Sequence, residues 1–228
     1  MDEIQTCAFE LRPLRGSFKA DFDEWDLAAS RGDTAAIRKV RRSILSNARR
    51  QLSGPVTELP GFYVFTEVNQ ADMRSILYIG IAESVRRPLA QRIVDRLRDD
   101  SALDTRLDEL DDNDARTTVL HRLTVALPGS GQNYLEDHLR TAKLLRRCSH
   151  VLIAGVNADR DLIRATERVL VGSASKAGAK LVNRHYAEFR GACLPEARRL
   201  ARRVLGALAP QLPEDAVRSW SAAINTLA

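Results

Sequence analysis

Two tyrosines, an arginine and a glutamate carry the chemical interest of this chain. Tyr63 closes Gly61-Phe62-Tyr63 and Tyr78 opens Tyr78-Ile79-Gly80, each within a short run rich in Val, Ile, Phe and Tyr. These runs are bounded by Pro60-Gly61 and Gly80 and separated by a polar stretch, Glu67 to Arg74, so they read as an antiparallel hairpin. Paired in that way, both phenols could lie on one face. After Gly80 the apolar period lengthens. Leu89, Ile93 and Leu97, flanked by Ala90 and Val94, predict an amphipathic helix with Arg92 and Arg96 four apart along its edge. A guanidinium is a fixed, always-charged fork that suits a phosphate. Glu167, in DLIRATERVL, falls between Ile163 and Leu170 and interrupts an apolar helical stripe. A carboxylate facing a core is costly unless something pairs with it. Each residue also has an ordinary reading: strand tyrosines pack, helix arginines are solvated, and Glu167 could pair with Arg164 one turn earlier.

The elements around these groups are partly legible. Asp33 is a natural N-cap for a helix whose stripe is Ala36, Ile37, Val40, Ile44 and Leu45. Its other faces carry Arg38, Lys39, Arg41, Arg42, Arg49 and Arg50, either a solvated surface or a phosphate-contacting arm. Ser53-Gly54-Pro55 ends it. Residues 1–32 show little regular pattern beyond the aromatic-acidic stretch Phe18 to Trp25. The acids from Asp99 to Asp114 have no calcium-loop spacing and read as a solvated segment. Thr117 to Leu127 reads as a strand, PGSGQN as a turn, Tyr134 to Arg147 as a helix, and His150 to Val156 as a buried third strand. From Pro195 two helices follow, the second starting at Pro213-Glu214.

At 228 residues and 44% apolar, the chain can build one substantial core with additions. A formal charge of +5 and a pI near 9.4 modestly favour a polyanionic partner. No apolar run reaches the roughly 20 residues of a membrane helix, and the acidic N-terminus is unlike a signal peptide. Cys7, Cys148 and Cys193 are scattered and odd in number, which suits reduced thiols in a cytoplasmic protein.

The tripeptides GFY and YIG, with Arg92 on the next helix, Glu167 on a later one and Asn183 in LVNR beyond it, resemble the GIY-YIG nuclease family over roughly residues 60–185. The resemblance implies an α+β fold with a small mixed three-stranded sheet flanked by helices. It divides the chain into an N-terminal helical extension (1–59), a nuclease domain (60–190) with an insertion at about 99–148, and a C-terminal helical extension (191–228). It implies a metal-dependent endonuclease cutting DNA. Tyr63 would activate water, which a phenol of pKa ~10 does only where positive charge favours the phenolate. Tyr78 would orient water or phosphate, Arg92 would clamp the phosphate, and Asn183 would hold the site together. Glu167 would bind Mg²⁺ or Mn²⁺, a cation that keeps most of its waters and needs few protein ligands.

The pattern is not complete. Ile81 stands where the family often has lysine, so a basic group would come from Arg86 or Arg87. Pro88 marks the helix start. Arg96 stands where restriction-type members have histidine, for which His121 or His185 could substitute. Arg38, Arg42, Arg86, Arg87, Arg96 and His185 are the candidate DNA contacts. A stand-alone chain of this size looks like a restriction or defence enzyme, and symmetric cutting would suit a dimer. Two alternatives are a binding module that has kept the fold without catalysis, and a nuclease directed at RNA.

Overall fold

Four strands, β1 (Gln5–Glu10), β2 (Gly61–Thr66), β3 (Ile76–Ala82) and β4 (His150–Gly155), form one sheet in the order β1-β4-β2-β3. The computed structural model describes residues 3–67, 72–97, 103–108, 110–126, 147–181 and 195–227. Its helices are α1 (Leu11–Gly16), α2 (Lys19–Ser30), α3 (Thr34–Gln51), α4 (Leu89–Leu97), α5 (Asp112–Ala126), α6 (Arg160–Lys176), α7 (Pro195–Leu208) and α8 (Glu214–Thr226). Two units separate. One comprises Met1–Glu10, Ser53–Ile93 and Cys148–Ala228, the other Leu11–Leu52 and Val94–Arg147.

The first unit holds the sheet. β2 and β3 are buried along their whole length, which is why GFYVFT and ILYIGIA read as continuous apolar runs rather than alternating ones. The expected hairpin forms, and HVLIAG takes the expected place as a buried strand beside β2. Two features differ from the sequence reading. Every pairing is antiparallel, so the sheet is not mixed, and a fourth strand, β1, pairs with β4 from Gln5–Gly155 to Glu10–His150. QTCAFE is a short edge strand with only partial burial, so its local pattern is faint and its partner lies far along the chain.

One sheet face, carrying Phe62, Val64, Ile79, Ile81, Leu152 and Ala154, packs into a core with α6, α7 and α8. Ile163, Leu170 and Ala174 of α6 meet Leu200 and Val204 of α7 and Trp220 of α8 there. The Trp220 indole donates to the Leu170 carbonyl at 3.2 Å and to Ser173 Oγ at 2.9 Å, so its polar edge is satisfied inside the core. The α6, α7 and α8 helices start where the sequence places them. α6 is capped by Asp159, whose carboxylate accepts from Leu162 N at 2.8 Å.

The second unit is helical among its described residues. α2 presents Phe22 and Trp25 as a stacked pair, 5.9 Å between centroids, and α3 presents Ile37, Val40, Ile44 and Ala48. Asp33 caps α3 as expected, accepting from Ala35 N and Ala36 N. Three expectations fail here. Residues 11–30, taken as patternless, form α1 and α2, with Phe18, Phe22 and Trp25 as the buried stripe. Thr117 to Leu127 is not a strand: its described part belongs to α5, which buries Ala115, Val119 and Arg122 at helical spacing. The β-branched residues of TTVLHRLTVA suggest a strand, but Asp111 caps a helix, accepting from Asn113 N and Asp114 N at 2.9 Å.

The acidic segment is also not uniformly solvated. Asp104 is 1% exposed and receives Arg106 Nη2 at 2.9 Å and Arg122 Nη2 at 2.8 Å; both arginines also bind Asp26. Among the described residues, no helix is long and apolar enough to cross a membrane. The expected PGSGQN turn and the body of the Tyr134–Arg147 helix lie outside the described residues.

Candidate active site

The register of β2 on β3 sets Tyr63 opposite Gly80 and Phe65 opposite Tyr78. With side chains alternating along each strand, all four positions share the sheet face opposite the α6–α8 core. The phenol rings of Tyr63 and Tyr78 stack with centroids 6.0 Å apart and planes 20° from parallel. Phe65 meets both edge-on, at 5.7 and 6.0 Å. Tyr63 is 1% exposed and Tyr78 5%, so the pair is held rigidly.

Both motif glycines have a steric cause. A Cβ on Gly80 would overlap Tyr63 Cζ and Oη and come within 2.7 Å of Tyr78 Cε1. The Tyr63 ring therefore lies across Gly80 and brings its hydroxyl down onto β3. Gly61 has φ +150°, and a Cβ there would overlap the Ala154 carbonyl oxygen. Both glycines allow close approach, one by a ring and one by a neighbouring strand.

Arg92 comes to the same strand. α4 begins just after Pro88, as the sequence suggests, with Arg92 N bonded to the Pro88 carbonyl and Leu89 N to Leu59 O at 3.1 Å. From there Arg92 Nε donates to the backbone carbonyl of Ile81, the residue after Gly80, at 3.2 Å. Among the described residues, β3 has no strand neighbour on its outer side.

α6 packs against β3. Glu83, just past the end of β3, accepts from Arg160 Nε at 2.8 Å and from Arg164 Nε and Nη2 at 2.7 and 3.1 Å. Hydrogen bonds from Arg164, and then from Arg160, hold the Glu83 carboxyl below its ordinary range against the opposing effect of burial. Arg164, the partner considered for Glu167, is thus engaged by Glu83. Glu167 itself is 7% exposed, between Ile163 and Leu170 on the buried side of α6, as the spacing predicts. It is not left without a partner.

Tyr63, Tyr78, Arg92 and Glu167 therefore all belong to the first unit, on β3 or on elements against it. Arg86 and Arg87 lie at an exposed turn after β3, where Arg87 N bonds to Ser84 O. Arg38, Arg42 and Arg96 fall in the second unit. Asn183 and His185 lie outside the described residues, and His121 is on α5 in the second unit. Sequence reasoning missed Glu83 and Arg160. The available signal was an acid directly after a strand and two arginines four apart on a helix.

Among the described residues, no group of three or more His, Cys, Asp or Glu side chains is arranged to hold a metal ion. A single protein carboxylate is enough for a hard cation that retains its waters, and too few for a cage-forming ion such as Ca²⁺.

Compared with protein-family models, with curated proteins and with solved structures, the chain matches none. Fold and site define an α+β protein with a four-stranded antiparallel sheet and a tyrosine pair stacked over a glycine on its edge hairpin.

Proposed function

We propose that this protein is a metal-dependent endonuclease of GIY-YIG type acting on DNA. The observation that carries the reading is Tyr63 lying across Gly80 beside Tyr78, with Arg92 fixed to the next residue's carbonyl. Hydrolysis of a phosphodiester needs a water to be oriented and deprotonated, and it needs positive charge at the phosphate. Tyr63, ionised to the phenolate where nearby positive charge favours it, takes the water's proton at Oη and becomes the neutral phenol; Tyr78 orients the water or a phosphate oxygen, and Arg92 places a guanidinium against the developing charge. Glu167 would hold the Mg²⁺ or Mn²⁺, which polarises the phosphate and assists the leaving oxygen.

Supercoiled plasmid incubated with Mg²⁺, Mn²⁺ or EDTA tests this directly. Wild type is expected to nick or linearise it only with metal, Glu167→Gln to lose cleavage, and Tyr63→Phe to lose roughly 10²–10⁴ in rate. Cleavage that survives both changes would sink the reading.

The near-complete burial of both tyrosines favours one rival, a GIY-YIG-like fold kept for nucleic-acid binding alone. In that case DNA is retained in EDTA, and neither wild type nor Glu167→Gln cuts. We extend the proposal to a restriction or defence role. Cleavage of unmodified but not methylated DNA would support it.

A further inference from the structure

α3 concentrates charge to a degree the rest of the chain does not. It carries Arg38, Lys39, Arg41, Arg42, Arg49 and Arg50 and no acidic residue, six cations in a chain of net charge +5. Its apolar stripe, Ile37, Val40, Ile44 and Ala48, is buried within the second unit, while Arg38, Lys39, Arg42, Arg49 and Arg50 are exposed. At about 100° per residue, Arg38, Arg42 and Arg49 fall within an arc of about 40°, with rises of about 6 and 10 Å between them. Arg42 Nε donates to the Arg38 carbonyl at 3.2 Å, laying that side chain along the helix. Arg38, Arg41 and Arg42 with Leu45 line an open recess of about 520 Å³.

We propose that this face of α3 is a phosphate-backbone surface for duplex DNA, so that the second unit supplies affinity and the first supplies chemistry. The choice of nucleic acid among polyanions rests on the nuclease reading above. The face itself narrows the field. An interfacial membrane helix needs a broad apolar border on its exposed side, and on α3 the stripe Ile37, Val40, Ile44 and Ala48 is turned inward, leaving Leu45 as the one large apolar residue beside the arginines. A protein-docking face is anchored by aromatic residues, and α3 has none. A row of guanidinium forks matches phosphate oxygens bidentately, and a duplex presents a phosphate about every 1.7 Å of its axis.

The test is binding of a 20-base-pair duplex by the full chain in EDTA, followed by fluorescence anisotropy over a salt series. Gln replaces Arg38, Lys39 and Arg42 together; Gln keeps helix propensity and these side chains are exposed, and circular dichroism checks the fold. The triple variant is expected to lose at least ~10-fold in affinity near 0.1 M salt, with the slope of log K against log salt shallower by about 2–3. An unchanged affinity and slope would overturn the proposal. So would an equal loss on neutralising Arg199 and Arg202 of α7, or tighter binding of poly-glutamate than of duplex. α3-dependent binding by a wild type that never cuts would uphold this surface and defeat the nuclease reading. Cleavage and binding both indifferent to α3 would do the reverse.

Discussion

A methyl group at position 80 would need the space that the Tyr63 ring fills. That ring is 1% exposed and stacked on Tyr78, so it has nowhere to swing. We expect Gly80→Ala to cost about 1–3 kcal/mol through overpacking, and to reduce any cleavage by displacing the hydroxyl. A double-mutant cycle separates this from a general strand effect. In a Tyr63→Ala background the same Gly80→Ala change should cost less, with the approach to Tyr78 Cε1 remaining; additive costs in urea unfolding would show that the Tyr63 ring is not the obstacle. At this scale the sequence was informative where a residue's neighbours set its environment. Gly80, read as the end of its strand, lies within β3, but Gly61, Tyr63 and the burial of Glu167 followed from strand bounds and helical spacing. Asp104 did not, because Arg122 and Asp26, which make its burial tolerable, are distant in the chain and nothing local marks them as partners.

Elements show the same division between local and tertiary causes. α3, α4, α6, α7 and α8 carry caps, prolines or apolar stripes of their own and were legible. β1 owes its state to β4, and α5 follows its Asp111 cap and buried stripe over a β-branched composition that points to a strand. The placement of α6 matters most for the site, because it carries Glu167, and Glu83 ties its first turns to the end of β3. The arginines are well exposed, so solvent screens the tether. Glu83→Gln is expected to cost only about 0.5–1 kcal/mol at neutral pH. The Glu83 pKa is lowered in the folded state, so its contribution is complete above the unfolded carboxyl value and disappears as the pH falls through the folded one. Urea unfolding of wild type and Glu83→Gln should therefore differ at pH 7 and differ less at pH 3, below the unfolded carboxyl value. A constant difference at both would show that the lost contacts are not ionic.

On the scale of the whole molecule, the chain alternates between two units, with Leu11–Leu52 and Val94–Arg147 forming the second. No composition change marks these crossings in the sequence. One falls within α4, between Ile93 and Val94. The candidate chemistry lies in the first unit; the second is stabilised by an ionic cluster in its own interior. Burial works to raise the Asp104 carboxyl, but hydrogen bonds and charge from Arg106 and Arg122 prevail and hold it below the ordinary range. Asp23 also binds Arg106, and the Arg122 guanidinium lies over the Phe22 ring at 5.2 Å, so the cluster joins α2, α5 and residues 104–106. Removing Asp104 leaves Arg122 and Arg106 paired with Asp26, so the cost falls below that of a fully broken buried pair, about 3–5 kcal/mol. Asp104→Asn should loosen the second unit selectively. Amide exchange in α2, α3 and α5 is expected to accelerate, while that in β2, β3 and β4 stays near wild type. The wild-type contribution is lost only as the pH falls below about 4, where the unfolded carboxyl takes up a proton. The two proteins should then approach one another in stability at low pH. If the sheet amides accelerate in parallel with the helical ones, the units unfold as one cooperative body, and loss of the Asp104 carboxylate would disturb the tyrosine pair as well.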